Sequence, residues 1–186
     1  LPGPAMKRPL LTLRRFARDR RGVSAIEFAL IAPLLITFYF GMAETTQAMM
    51  AKRKASHVAA VVGDLVAQDQ IVTDAEMADT WTIGAALLAP FPTTGKLGMR
   101  VTSVTMASGV VKVDWSEVGG TGLTPKSPGA TWTGIPAGLI ANGQSLIIAE
   151  TRYPYDSPIK KYVPSTLNFD DIYYLRPRKI STVQRS

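Results

Sequence analysis

One acid lies within an apolar run near the N-terminus, directly behind a basic pair and a glycine. Arg20 and Arg21 precede Gly22, and Glu27 follows five residues later among apolar neighbours. A carboxylate in a membrane span costs roughly 2.5–3.5 kcal/mol at mid-bilayer and less near the interface. Glu27 therefore indicates either a partner that compensates its charge or a position among the lipid headgroups, and its placement alone leaves both interpretations open.

Other residues capable of chemistry do not form a catalytic pattern. The chain has no cysteine and one histidine, His57, which has no second histidine with which to share a metal. Asp170 and Asp171 are adjacent acids in a predicted loop, where solvation explains them best. Ser24 and Ser56 lie in no nucleophile motif, and no glycine-rich phosphate loop is present. We therefore expect neither an enzyme nor a bound cofactor or metal.

The apolar run that contains this acid is long enough to start a membrane span. Phe28–Ala43 has no charged residue and would rise about 24 Å as a helix, which flanking residues extend to bilayer thickness. Seven basic residues against one acid give residues 1–22 a net charge of +6 out of +7 for the whole chain. This asymmetry predicts a single-pass protein of the inner membrane, in contact with lipid, with its N-terminus in the cytoplasm. The same clustering argues against nucleic acid as a partner.

The string RRGVSAIEFALIAPLL resembles the start of TadE-like proteins, minor pilins (pseudopilins) of the Tad (tight adherence) type IV pilus system. The resemblance implies that a prepilin peptidase cuts between Gly22 and Val23, which makes Glu27 the fifth residue of the mature chain. The new α-amino group, with a reference pKa near 8, could then pair with Glu27 of the same or a neighbouring subunit. The resemblance also implies an assembly role for Glu27 and Phe28. Pro33 would either let the helix stretch on assembly or form a simple packing kink.

The remaining sequence predicts an α+β fold. A long helix from about Val23 to Gln68 is expected, transmembrane in its first half and amphipathic in its second, packed on a small antiparallel sheet. The predicted division is a basic cytoplasmic leader at 1–22, the transmembrane part of the helix at 23–50, and a periplasmic pilin-like domain at 51–186. Segments such as GMRVTSVTM, VKVDWS, LIIAETRYPY and YYLRPRKISTVQ also resemble strands of TadE-like periplasmic domains.

Local patterns predict the elements of this domain. Thr73 and Glu76 form a capping-box pattern that opens a helix ending before Pro90. Alternating apolar residues on either side of Gly109 predict a hairpin. A long loop is expected from Gly119 to Ala141, with Trp132 anchoring it to the core. Two further strands are predicted at Gln144–Tyr155 and Ile172–Gln184, separated by a polar stretch at Ile159–Asp171. One further pattern suggests a partner surface, an aromatic and basic cluster of Tyr173, Tyr174, Arg176, Arg178 and Lys179.

Three functions fit these patterns. The first is a minor pilin, trimmed by the prepilin peptidase, that helps assemble or prime a Tad-type pilus for surface adhesion. Its partners would be other Tad pilins and pseudopilins, the peptidase and the inner-membrane assembly platform, and the assembled protein would be extracellular. The second is a permanently anchored periplasmic binding or scaffold protein of an envelope complex. The third is a secreted protein cut after Ala43, because Gly41-Met42-Ala43 has the small-x-small pattern of a signal-peptidase site.

Overall fold

The computed structural model describes residues 22–158 and 166–186. The predicted leader, apart from Gly22, and residues 159–165 of the predicted polar stretch lie outside this range. The chain divides into two units, with the boundary between Ala43 and Glu44. The elements in chain order are α1 (Val23–Gln68), β1 (Ile71–Val72), α2 (Asp74–Leu87), β2 (Gly98–Ala107), β3 (Val110–Gly120), β4 (Ser145–Tyr155), β5 (Leu167–Leu175) and β6 (Gln184–Arg185).

Helix α1 covers the range predicted for it, Val23–Gln68. From residue 48 onward its buried side chains recur at three- and four-residue steps, which places them on one face of the helix. They are mostly small, and this allows the helix backbone to approach the sheet closely. The buried apolar side chains of this stretch are Ala48, Ala51, Ala55, Val58, Ala59, Val62, Val66 and Ala67. The predicted long helix with an amphipathic second half, packed on a small antiparallel sheet, is thus confirmed.

The sheet supplies the other side of this core. Its four strands are antiparallel and lie in the order β3-β2-β4-β5, so β3 and β5 form its edges. Odd-numbered residues of β4, such as Ile147, Ala149 and Tyr153, are buried against the helix side. The hydroxyl of Thr151 donates a buried 3.1 Å hydrogen bond to the Ala55 carbonyl of α1. The buried residues at every second position of β4 therefore pack against the buried residues at every third or fourth position of α1.

Helix α2 begins as its capping box predicts. The Glu76 amide donates to the Thr73 hydroxyl at 3.3 Å, and the Thr73 amide donates to the Glu76 carboxylate at 2.7 Å. These bonds satisfy two groups at the end of the helix. The Thr73 amide and the Thr73 hydroxyl, which donates to the same carboxylate at 2.8 Å, hold the pKa of Glu76 below its usual value. The helix ends at Leu87, before Pro90, as expected.

The predicted hairpin forms two strands of the sheet, and the predicted loop covers the face opposite α1. Strands β2 and β3 pair around Ser108-Gly109, and both residues adopt positive φ in the turn. The long loop then returns along β3, where the Trp132 amide donates to the Val111 carbonyl at 2.9 Å. Trp132 packs against a second apolar cluster that includes Val104, Val113 and Ile148. The anchoring role predicted for this tryptophan is confirmed.

The C-terminal strand assignment was wrong. β5 spans Leu167–Leu175, so it begins inside the stretch predicted to be polar and ends far before Gln184. Leu167 and Phe169 alternate onto the helix-side core, and this burial outweighs the polar residues between them. Asp170 and Asp171 consequently lie in a strand and not in the predicted loop. After Leu175 the chain leaves the sheet, and its last strand, β6, pairs in parallel with β1.

Candidate processing and assembly segment

Gly22 lies immediately before α1 and is exposed. A Cβ atom built on it would meet no other atom within 4 Å, and its backbone does not have the positive φ that favours glycine. Nothing in the described part of the chain therefore requires glycine at this position. If glycine is required here, the requirement comes from a molecule that approaches the backbone from outside.

Val23 and Glu27 share one face of the first turns of α1. They are four residues apart in a regular helix, a spacing at which side chains are neighbours. Both residues are exposed, and Glu27 forms no hydrogen bond or ion pair with another residue in the described ranges. The Glu27 carboxylate is thus available to an amino group formed at Val23 or to a neighbouring molecule.

The first half of α1 presents an apolar surface on all sides. Phe28, Leu30 and Leu34 are 69%, 74% and 70% exposed, and an 18-residue stretch of this helix has no buried residue. Covering apolar surface is worth about 25 cal/mol per Å², so a helix of this kind is stable only in lipid or against other helices. Within residues 22–158 and 166–186, α1 is the one helix long and apolar enough to cross a membrane. It fits the single membrane anchor predicted from sequence.

Pro33 lies within this apolar half without ending the helix. A proline there removes one backbone donor and leaves a carbonyl without its usual partner in the preceding turn. One turn later, the Thr37 hydroxyl donates a 2.8 Å hydrogen bond to the Pro33 carbonyl. The Thr37 hydroxyl therefore has a hydrogen-bond partner within the helix, which lowers its cost in lipid.

Glu44 is a buried acid that sequence reasoning did not single out. It is 1% exposed, and its carboxylate accepts a hydrogen bond from the Ser157 hydroxyl, 113 residues away. The phenol of Tyr155 is close enough that burial and the Glu44 charge raise its pKa. Glu44 directly follows the apolar run Phe28–Ala43. That position is the only feature of the sequence that indicates where the folded unit starts. Its burial depends on contacts distant in sequence.

The residues considered for catalysis remain apart. His57 is exposed on α1, and in the described ranges no three histidine or acidic side chains converge as they would around a metal. Asp170 forms an ion pair with Arg152 at 2.9 Å. Ser56 lies 3.1 Å from the Tyr173 hydroxyl, a contact that joins α1 to β5.

The predicted aromatic and basic cluster is divided among separate contacts. The Tyr174 hydroxyl donates to the Gly134 carbonyl at 3.4 Å, and Arg176 donates to the Leu139 carbonyl at 3.1 Å. Arg178 forms an ion pair with Asp64 of α1. These side chains hold the loop and the C-terminal segment in place, so they do not form one common partner surface.

Comparison with known proteins identifies the same N-terminal segment. Residues 22–63 match the family model described as TadE-like protein. No curated protein and no solved structure matches the chain significantly. The family match begins at Gly22 and includes Val23, Glu27, Phe28 and Pro33, so the chain carries a TadE-like domain at this position. The resemblance inferred from sequence is confirmed, and it connects the chain with the Tad pilus system.

Proposed function

We propose that this chain, which carries a TadE-like domain, is a minor pilin (pseudopilin) that a prepilin peptidase cuts between Gly22 and Val23. The mature protein then takes part in the assembly or priming of a Tad-type pilus used for surface adhesion. The family match over residues 22–63 carries this proposal, because it begins at the proposed cut and includes the apolar half of α1. Its role is structural, and no catalytic step is assigned to it.

The proposed orientation rests on charge. The basic leader remains in the cytoplasm, the apolar half of α1 crosses the inner membrane, and the sheet domain lies in the periplasm until the pilus carries it outside. The leader contributes +6 to the total charge of +7, so the segment that must stay inside differs sharply from the rest of the chain. Lipid covers the exposed apolar side chains before assembly, and other pilins and pseudopilins cover them afterwards.

Cleavage would change the electrostatics of the helix start. Before cleavage, Glu27 has no cationic partner among the described residues, whereas afterwards Val23 carries an α-amino group one helical turn away. In lipid or between packed helices, an acid and an amine are stable together and costly apart. Pairing between Glu27 and the amine of its own or a neighbouring subunit would then fix the register in which subunits join at the assembly platform.

The two alternatives differ in how well they fit the fold. A permanently anchored scaffold protein has the same span but leaves Gly22 and Glu27 without a role. The secreted form requires a cut between Ala43 and Glu44, which lie inside the continuous helix α1. Glu44 is moreover buried and bonded to Ser157, so this cut would require local unwinding. We therefore favour the pilin.

Replacing Glu27 tests the assembly step separately from processing. Glu27→Ala should insert and be trimmed normally, because it only removes a charge from the span. It should be recovered with pilus or assembly-platform components in much lower amount, since a buried amine loses its partner. Ser24→Ala is a matched control, because it removes a nearby polar group and leaves the acid in place. Equal recovery of wild type and both variants would exclude the ion-pairing role.

A further inference from the structure

The two edge strands of the sheet, β3 and β5, differ in their backbone hydrogen bonding. Along β3, residues 129–132 of the long loop form backbone hydrogen bonds to Val111 and Val113 at 2.7–2.9 Å. Along β5, all nine residues pair with β4 on one side. On the other side, no residue in the ranges 22–158 and 166–186 forms a backbone hydrogen bond to β5. An edge of this length is a template for another strand.

Side chains on both faces of this edge are suited to contact with a partner. Ile172 is 42% exposed on the face that carries the loop, and Tyr173 is 39% exposed on the face toward α1. Tyr173 is held in place by its contact with Ser56. A strand added at β5 would cover both side chains at once, because successive residues of a strand point to opposite faces.

Asp171 indicates the charge of the strand that would fit. One of its carboxylate oxygens is buried without a hydrogen-bond partner among the described residues, while the residue as a whole is partly exposed. Lys52 of α1 interacts with this carboxylate electrostatically but forms no ion pair with it within 4.0 Å. The other carboxylate oxygen is not buried, so a lysine or arginine opposite Asp171 on an incoming strand could pair with it.

A second copy of this chain fits poorly in the register that pairs the whole of β5. Antiparallel pairing of two β5 strands over their full nine residues is centred on Asp171, the middle residue of Leu167–Leu175. The two Asp171 carboxylates would then face each other across the interface, and directly opposed like charges destabilise a strand pair. This repulsion disfavours a second copy in that register, and the carboxylate of Asp171 favours a different chain that carries a basic residue.

We propose that the edge of β5 that has no backbone partner among the described residues binds an extended strand of another protein by main-chain pairing. That strand carries a basic residue opposite Asp171 and apolar residues that cover Ile172 and Tyr173. This interaction does not depend on cleavage at Gly22, so it would hold for a pilin or for an anchored scaffold.

Two synthetic peptides test this edge on the full chain in detergent micelles. Each has nine residues that alternate threonine and valine, with a central lysine in one and a central glutamate in the other. Fluorescence anisotropy gives their affinities, and hydrogen exchange with mass spectrometry gives the protection of amides 167–175. The lysine peptide should protect these amides and bind about tenfold more tightly than the glutamate peptide.

Variants of the protein test which residues determine peptide binding at β5. In Asp171→Asn the preference for lysine should fall below about twofold. Ile172→Lys should weaken both peptides, whereas Val110→Lys, at an exposed apolar residue near the hairpin turn, should change neither affinity. Absence of protection at 167–175 with either peptide would overturn the proposal, as would equal affinities for the two. Protection that grows with protein concentration without peptide would show instead that the edge pairs with a second copy.

Discussion

Arg100 of β2 and Glu150 of β4 form a two-bond ion pair beneath the long loop. The guanidinium donates to the two carboxylate oxygens at 2.6 and 2.7 Å, and a third donor reaches the Thr124 carbonyl at 2.7 Å. The guanidinium also lies 6.0 Å from the centre of the Trp132 ring. One buried cation thus joins two strands to the start and middle of the loop, which explains how a segment rich in glycine and proline is held on the sheet.

Removing one partner of this pair should be costly. Arg100→Leu leaves the Glu150 carboxylate largely buried without its cation, and we expect a loss of about 3–5 kcal/mol in the free energy of unfolding. The double variant Arg100→Leu/Glu150→Leu should recover most of that loss, because no uncompensated charge remains. Denaturant melts of the full chain in detergent measure both values, and a single variant as stable as wild type would contradict this account.

Gly63 allows α1 to approach the sheet closely. A Cβ atom at Gly63 would lie 2.8 Å from the Ala149 Cβ and 2.5 Å from the Leu175 Cδ1. Gly63→Ala should therefore destabilise the chain by about 1–3 kcal/mol through overpacking, despite the better helix propensity of alanine.

Gly84→Ala in α2 provides a comparison, because its Cβ would come closest to the side chains of Met99 and Val62, at 2.6 and 3.0 Å, of which the unbranched Met99 can adjust. That variant should cost less than Gly63→Ala in the same melts. A cost at Gly84 equal to that at Gly63 would show that close contact with Ala149 is not the cause.

Asp171 should make stability depend on pH. Burial raises the pKa of Asp171 above its ordinary value of 3.8, the Lys52 charge opposes this, and Asp170 adds to it. Between 3.8 and the raised pKa the folded chain holds more protons than the unfolded chain, so this group lowers stability as pH rises. Asp171→Asn should then be more stable than wild type at pH 7, with an advantage that shrinks to nothing below pH 3.8. If the stability advantage of Asp171→Asn over wild type grew as the pH fell, this account of Asp171 would be contradicted.

The folded unit should begin at Glu44. A fragment of residues 44–186 should unfold cooperatively, because it retains the buried face of α1 and the whole sheet. A fragment that starts at Ala51 loses Ala48 and the hydrogen bond from Ser157 to Glu44, and it should be less stable by about 1–3 kcal/mol. Equal stability of the two fragments would show that Glu44 is not part of the folding unit.

Local sequence patterns predicted the elements that depend on near neighbours. The capping box at Thr73, the 46-residue helix and the hairpin around Gly109 each follow from residues within a few positions. Patterns failed where distant contacts decide the structure. The bounds of β5 were predicted wrongly because only packing against the helix-side core shows that Leu167 and Phe169 belong to a strand. Glu44 was missed because its burial depends on Ser157, which is distant in sequence. The N-terminal resemblance to TadE-like proteins was recognised because its motif is local and specific.

Gly22 should be required for processing, although nothing nearby in the fold requires it. Gly22→Val should leave the full-length chain in the membrane, because a branched side chain blocks approach to the backbone at the cut. Val23→Ala alters the other side of the bond without adding bulk and should be trimmed as in wild type. Electrophoretic mass of the membrane-bound protein distinguishes the two, and normal trimming of Gly22→Val would argue against cleavage by a prepilin peptidase.

The N-terminus of the mature protein is the most direct test of the proposed function. Intact mass and N-terminal sequencing of the chain isolated from membranes of cells that contain the prepilin peptidase should give a protein that begins at Val23. The same chain from cells without the peptidase should keep its leader. A chain that stays uncut in both kinds of cell would indicate the anchored scaffold protein, and a protein that begins at Glu44 would indicate secretion. Either result would contradict the proposal that the chain is a minor pilin.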